Sequence, residues 1–287
     1  MNICLALDTQ KQKAVECAGN IAKMLIGENV CVLMLESSAA ALWGTVPDGV
    51  KTFCEPEELF EQCDYAVTVG GDGIIIHIAK YASQKNVPLI GVNVGRVGFA
   101  AEIETYEYMQ LKKILAGDFS VQERMLLSAC VRKKDEIQEF CCINEAVISR
   151  GSLSKILDLS VSLNGKTVSK YRADGLIFAT ATGSTAYSLS AGGPVVDPEM
   201  DCIVLTPVCP YSLSARCVVL SGDSVLSVSA DNLDRTECYL TVDGRESVRI
   251  GERDEVTVKR APYTLKMINL KNKNFLHVVN EKLGTGE

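Results

Sequence analysis

AVTVGGDGIIIHIAKYA, Ala66 to Ala82, is the stretch on which the fold turns. Asp72-Gly73 between alternating apolar residues is a hairpin signal, and Ile74-Ile75-Ile76 favours strand. Against a hairpin, Ala79, Lys80, Tyr81, Ala82 and Gln84 are in the main good helix formers, and Pro88 then opens another apolar run. Strand, glycine-rich turn, helix and strand therefore account for more of these residues. Such a turn aims backbone N–H groups and a helix N-terminus at an anion. Asp72 is the odd residue in it, because a carboxylate repels phosphate. It makes sense there if it takes a proton from a hydroxyl or helps to hold a metal.

Working outward, Asn2 to Leu7 reads as a strand, and Ala14, Ala18, Ile21 and Leu25 fall on one helical face. Val30 to Leu35 is a second strand, Trp43 to Cys54 a loop, and Glu57 to Gln62 a short helix. Tyr65 to Val69 is a third strand, ending at Gly70-Gly71-Asp72-Gly73, and Pro88 to Val92 a fourth. Apolar runs alternating with helices predict a parallel sheet with crossover helices. Just past the fourth strand, Gly91, Gly95 and Gly98 punctuate LIGVNVGRVGFAAEIE, Leu89 to Glu104, a spacing that suits loop geometry or close approach of backbone to a ligand.

From about Phe119 the texture changes. Met125, Leu127, Ala129 and Val131 alternate with period two, and Asn164-Gly165 and Asp243-Gly244 are turn dipeptides. Candidate strands are Leu157 to Leu163, Leu176 to Thr180, Ile203 to Thr206, Val225 to Ser229, Tyr239 to Val242, Glu255 to Lys259 and Thr264 to Ile268, enough for a sandwich. The expected organisation is an α/β domain over 1–118 and an all-β domain over 119–270. The tail 271–287 carries Phe275, Val278, Val279 and Leu283 at a spacing that fits a short docking helix.

Composition narrows the function classes. A chain of 287 residues, 47% hydrophobic, can build two cores. A net charge of −7 argues against a phosphate-tracking nucleic-acid surface, so any phosphate binding must be local. With no apolar run of about 18 residues, and no basic leader in Met1 to Gln10, a soluble cytoplasmic protein without a membrane partner is expected. The twelve cysteines include no Cys-x-x-Cys pair and read as reduced core residues. His77 and His277 are not spaced to join a cysteine at zinc.

Two later segments carry chemistry. In CINEAVISRG, Cys142 to Gly151, Asn144-Glu145 interrupts an apolar strand; an amide beside a carboxylate offers donors and acceptors to an adenine or ribose edge, or forms a solvent-facing turn. In KYRADGLIFATATGSTAYSLSAGGPVVDP, Lys170 to Pro198, Asp174-Gly175 leads a strand. Thr180, Thr182, Gly183, Ser184 and Thr185 then run into a helix-like Ala186 to Ala191. Four hydroxyls around one glycine exceed the needs of a helix cap and suit a ligand rich in hydroxyls and phosphate oxygens.

These residues together resemble the NAD kinases. The resemblance rests on Gly70-Gly71-Asp72-Gly73, Asn144-Glu145, the Asp174-Gly175 to Gly193-Pro194 block and TPVCPYSLSARCVVL, Thr206 to Leu220, with Asp243-Gly244-Arg245 as a weaker fifth match. The tetrad alone is shared with diacylglycerol-kinase and 6-phosphofructokinase relatives; TGSTAYSLSAGGP, Thr182 to Pro194, is far more specific. The resemblance implies an N-terminal Rossmann-like α/β domain, a C-terminal β-sandwich domain, and a tail that returns to the first. It implies transfer of the γ-phosphoryl of ATP, or of polyphosphate, to the adenosine ribose 2′-hydroxyl of NAD, with Mg²⁺ or another divalent metal carried by ATP, and a homodimer or homotetramer.

Carried over residue by residue, Asp72 would be the general base, between Gly71 and Gly73, which let the nucleotide approach. Asn144 and Glu145 would hold the adenosine portion of NAD. Asp174, Thr182, Thr185, Ala186, Tyr187 and Ser190 would line the dinucleotide site, with Lys155, Arg172 and Arg245 at looser positions. The chain also departs from the family. Ile74 stands where Thr is usual, which removes a hydroxyl beside the phosphates; Ala181 replaces Pro, Tyr211 replaces His, and Ala100 follows Gly98-Phe99 in place of Leu. Two alternatives stay open: a catalytically silent NAD(P)-binding regulator, and a lipid or sugar kinase that shares the tetrad.

Overall fold

In the computed structural model of the chain, residues 1–95, 101–134, 136–152, 155–231, 233, 236–271 and 275–284 are described. Gly98, Phe99 and Ala100 lie outside the described residues, as does the Leu283 side chain. Two compact units are present: Met1–Glu123 with Thr264–Glu287, and Arg124–Tyr263.

The first unit runs β1 (Asn2–Leu7), α1 (Gln12–Gly27), β2 (Cys31–Leu35), α2 (Glu36–Leu42), β3 (Val50–Phe53), α3 (Pro56–Glu61), β4 (Tyr65–Gly70), α4 (Asp72–Gln84), β5 (Leu89–Asn93), β6 (Ile103–Glu104) and α5 (Lys112–Ala116). The strands β3-β2-β1-β4-β5 lie in that order, all parallel. The chain winds outward from β1 to β3 and then returns to the far side of β1 with β4. The carboxyl ends of β1 and β4 therefore flank the point where the winding reverses, the place where such sheets take ligands. The expectation of a loop over Trp43 to Cys54 is corrected here, because Val50–Phe53 pairs with β2. That strand buries none of its four side chains fully and so leaves little apolar signature.

α4 settles the reading of the isoleucine run. Ile75, Ile78, Ala79 and Ala82 form one buried stripe at helical spacing, with Ile74 and Ile76 beside it. Strand propensity spans only about 1 kcal/mol, whereas burying a single Ile contributes about 1.5–3 kcal/mol. The burial pattern outweighs the local preference for a hairpin.

The second unit is a β-sandwich. It comprises most of β7 (Ser120–Arg132), then β8 (Ile137–Cys142), β9 (Glu145–Arg150), β10 (Leu157–Leu163), β11 (Lys166–Ala173), β12 (Gly175–Thr180), α6 (Tyr187–Ser190), β13 (Cys202–Val208), β14 (Val218–Ser221), β15 (Leu226–Asp231), β16 (Cys238–Val242), β17 (Glu246–Ile250) and the first part of β18 (Glu255–Asn269). One sheet is ordered β14-β13-β12-β9-β16-β17, and the other face is built from β11, β10, β15, β18, β7 and β8. Alternate residues such as Ile148, Phe178 and Leu240 from the first meet Leu127, Leu159 and Val228 from the second. Glu255 to Lys259 and Thr264 to Ile268, expected as separate strands, belong to the single β18. Pro262 lacks an N–H, yet its fixed φ suits extended backbone and the strand runs through it. The last residues of β18 belong to the first unit, with Met267 beside Leu89 in parallel, and α7 (Phe275–Leu283) follows.

Both predicted turn dipeptides close hairpins in left-handed backbone, Asn164-Gly165 at φ 49° and 79° and Asp243-Gly244 at φ 47° and 66°. All twelve cysteines are free thiols, but Cys54 and Cys209 are exposed, so the core expectation fails for them. Among the described residues no helix is long and apolar enough to cross a membrane.

Candidate active site

The outer face of β12 positions the hydroxyl-rich segment. Ile177, Ala179 and Ala181 pack with Val147, Val196 and Val204, so the chain from Thr182 to Val196 is held down over β9 and β12 by its own apolar residues. Ser184 fixes it further: its hydroxyl donates to the Val196 carbonyl at 3.3 Å and accepts the Val196 N–H at 3.0 Å. Thr180 Oγ1 donates to the Ile143 carbonyl at 2.8 Å and accepts the Gly183 N–H at 2.9 Å. Thr185 donates to the Thr182 carbonyl at 3.2 Å. Three of the four hydroxyls expected to serve a ligand are thus committed to the backbone. Thr182 Oγ1 is the exception, buried without a hydrogen-bond partner.

The Ile143-Asn144 bend, just before β9, is clamped from both sides. On one side the Asn144 carbonyl accepts Thr180 N–H at 2.8 Å. On the other, the Asp243 carboxylate at the β16–β17 turn accepts three successive backbone N–H groups, Ile143 at 2.9 Å, Asn144 at 2.8 Å and Glu145 at 3.0 Å. Asp243 N–H returns a bond to the Glu145 carbonyl at 3.0 Å. Burial pushes the proton affinity of Asp243 up, while those three N–H groups and Arg245 pull it down.

Glu145 is 7% exposed, and its Oε2 is buried with no hydrogen-bond partner. Burial first, then the Asp243 carboxylate, raise its pKa to about 7, against a lowering by the Tyr187 backbone N–H. A buried, unmatched acceptor is costly on its own account, and a ligand hydroxyl is the kind of group that would relieve it. Glu145 and the Tyr187 backbone N–H therefore meet in one polar niche, and Gly183, next to Thr182, crosses the Asn144 carbonyl beside it. The solvent-facing-turn alternative for Asn144-Glu145 does not survive, because Glu145 is in the interior.

Other expected residues lie apart from this niche or have partners. Asp174 accepts Arg150 Nε at 2.7 Å, both side chains about one-third exposed. Arg172 sits 3.9 Å from Asp158 and 5.5 Å over the Tyr211 ring. Lys155 is exposed, and among the described residues no hydrogen bond or ion pair ties it to the niche. Ser190 is exposed and Ala186 half-buried at the start of α6. Arg245 lies in the hairpin turn, where its N–H bonds the Val242 carbonyl at 2.9 Å.

In the first unit, Gly71 caps α4, Asp72 is its first residue and Gly73 is exposed in its first turn. Asp72 is half-buried. Beside it, Asp8 N–H bonds the Val69 carbonyl at 2.9 Å, Asp8 pairs with Lys11 at 3.2 Å, and Lys11 Nζ lies 3.5 Å from where a side chain on Gly71 would begin. Ile74, in place of the usual Thr, directs a methyl group at the Gly70 Cα. Asp8, Lys11 and the full role of Asp243 escape a linear reading. The signal for the first two is strand order, and for Asp243 it is the register that sets Val242 opposite Ala146.

Comparison with known proteins decides the family. Residues 5–119 match the ATP-NAD kinase N-terminal domain and residues 143–270 the ATP-NAD kinase C-terminal domain. The chain is 33% identical to the NAD kinase of Natranaerobius thermophilus over 288 residues, covering 100% of this chain and 99% of the relative. The chain belongs to the ATP-NAD kinase family.

Further members of the family agree. The NAD kinase of Geobacter sulfurreducens is 40% identical over 81% of this chain and 82% of its own. An NAD kinase from Archaeoglobus fulgidus, solved in complex with ATP, superimposes with a TM-score of 0.75 at 26% identity, covering 100% of both chains. Yeast NADH kinase shares the fold, at a TM-score of 0.89 and 24% identity over 100% of this chain and 88% of that one. The protein is accordingly an enzyme, a kinase that acts on NAD, which sets aside the silent-regulator and lipid- or sugar-kinase readings.

Proposed function

We propose that the protein transfers the γ-phosphoryl group of ATP to the adenosine ribose 2′-hydroxyl of NAD, with Asp72 as the general base and the Asn144-Glu145 niche as the grip on the adenosine. The observation that carries this reading is the buried Glu145 oxygen without a partner; the Thr182 hydroxyl is likewise buried and unpartnered. ATP as donor is supported by the Archaeoglobus fulgidus relative, solved with ATP.

Asp72 begins α4 at the carboxyl edge of the parallel sheet. An aspartate is a weak base for an alcohol, so its work is to orient the hydroxyl and to accept the proton late in the transfer. Gly71 and Gly73 leave room for phosphate oxygens on either side of it. Among the described residues no group of three or more His, Cys, Asp or Glu is placed to hold a metal ion. Mg²⁺ would be carried mainly by the phosphates of ATP, since it keeps several waters and takes only one or two carboxylates. Asp8, just past the carboxyl end of β1, would help to hold it, which leaves Asp72 for the proton, and the ion would screen the phosphate charge against the incoming oxygen. Asp174, Arg172, Tyr187, Ser190, Lys155 and Arg245 complete the dinucleotide site in this reading. The protein would work in the cytoplasm as a homodimer or homotetramer, which light scattering on the purified chain measures.

The direct test incubates purified protein with ATP, Mg²⁺ and NAD and measures NADP. Asp72→Asn is expected to lose about 100-fold or more in kcat with NAD affinity largely kept. No NADP from the wild type with either ATP or polyphosphate would sink the reading.

A further inference from the structure

We propose that Asp243 is a positioning residue for NAD, holding the Asn144-Glu145 bend in its ligand-ready form through the three N–H groups its carboxylate binds. The inference rests on the reading of that bend as the adenosine grip and goes beyond it, because Asp243 touches no ligand in this scheme.

A bend of three consecutive N–H groups aimed at one point is unstable without an anion there, since each buried donor left unmade costs about 1–3 kcal/mol. Asp243 supplies that anion from across the sheet. Its own backbone is held in place by the Glu145 carbonyl and by a left-handed turn conformation, φ 47°, that Asp tolerates. With its backbone N–H taken by Asp243, Glu145 is left to direct its carboxylate by its side-chain rotamer alone. Period two puts that side chain on the face of β9 shared with Val147, beneath the Thr182 to Val196 segment.

The same geometry links the two acids electrostatically. Asp243 from the hairpin acts on Glu145 directly, and the Tyr187 N–H faces it from α6; Arg245 acts on Asp243, and Glu145 and Glu246 both act on the Cys142 thiol of β8, itself pushed up by burial. After burial, it is the Asp243 charge that disfavours ionised Glu145. Accepting a ligand hydroxyl favours ionised Glu145, so NAD should bind more tightly as pH rises through about 7. Asp243 thus places the acceptor and adds to the burial that raises the pH at which it becomes a good one.

The experiment measures KM for NAD and kcat from pH 5.5 to 8.5 for the wild type and for Asp243→Asn, with Glu145→Gln as the reference that lacks the titration. For Asp243→Asn the expected result is a KM at least about 10-fold higher, a kcat at saturating NAD within about threefold of the wild type, and a KM inflection about one pH unit lower. An unshifted inflection, or a loss confined to kcat, overturns the proposal. Should Asp243→Asn fail to fold, calorimetry on the wild type at pH 6.5 in buffers of different ionisation enthalpy decides. NAD binding must release a fraction of a proton, and must release none in Glu145→Gln; zero release in the wild type overturns it. A wild type that makes no NADP fails the kinase reading instead, so the two failures are distinct.

Discussion

Gly183 rests its bare Cα against the backbone carbonyl of Asn144, so closely that any Cβ would overlap the oxygen. Neither partner has slack. The Asn144 carbonyl is held by Thr180 N–H at 2.8 Å, and Gly183 N–H is held by Thr180 Oγ1 at 2.9 Å. The glycine in the hydroxyl-rich loop is therefore required by a close backbone crossing that fixes the loop over the Asn144-Glu145 bend, rather than by an unusual φ.

Gly183→Ala should therefore injure stability and binding together. Overpacking of this kind costs about 1–3 kcal/mol, which lowers Tm by roughly 2–10 °C. Displacing Asn144 should also raise KM for NAD by about 10-fold or more. Thermal unfolding and initial rates on one preparation check both. An unaltered Tm would show that the crossing is looser than the geometry implies.

Much of the fold is legible in the sequence because its signals are redundant. α1 and β10 carry a clean apolar period, β1 and β4 are near-continuous buried runs, and Asn164-Gly165 and Asp243-Gly244 fix their hairpins by backbone chemistry alone. β3 is not legible, because VKTF buries no side chain fully and its identity depends on pairing with β2. The site divides in the same way. Asn144-Glu145 stands out as polarity inside an apolar strand, but Asp243, whose carboxylate shapes it, lies 99 residues from Asn144, and only the sheet register joins them. The hydroxyl cluster misleads for a related reason. Thr180 and Ser184 look like ligand groups in a linear reading, whereas they satisfy backbone groups that the crossing loop would otherwise strand.

The Arg150–Asp174 pair allows scaffold and ligand roles to be separated. Both side chains are about one-third exposed, and a pair so open to water adds little to stability. Asp174→Asn is expected to shift Tm by no more than about 3 °C while raising KM for NAD several-fold, if Asp174 lines the dinucleotide site. A clear fall in Tm with an unchanged KM would reassign it to holding β9 against β12.

Glu145 should make the protein less stable than it could be, in a manner that pH reveals. Its pKa is raised from 4.5 to about 7 in the folded chain, so the folded state keeps a proton that the unfolded state has lost. Between those two values the folded state binds more protons, and stability must fall as pH rises, then level off above about 7. A tenfold change in proton affinity corresponds to about 1.4 kcal/mol, so the full penalty is on the order of 2–3 kcal/mol after allowance for partial solvation. Glu145→Gln removes the titration. Without nucleotide, the variant should match the wild type near pH 4.5 and exceed it in Tm at pH 8, while binding NAD more weakly. Such a gain in stability with a loss of affinity marks a group kept for its ligand rather than for the fold. Parallel Tm curves for the two proteins across that pH range would mean that the carboxylate is solvated, and would remove the buried acceptor from the binding scheme.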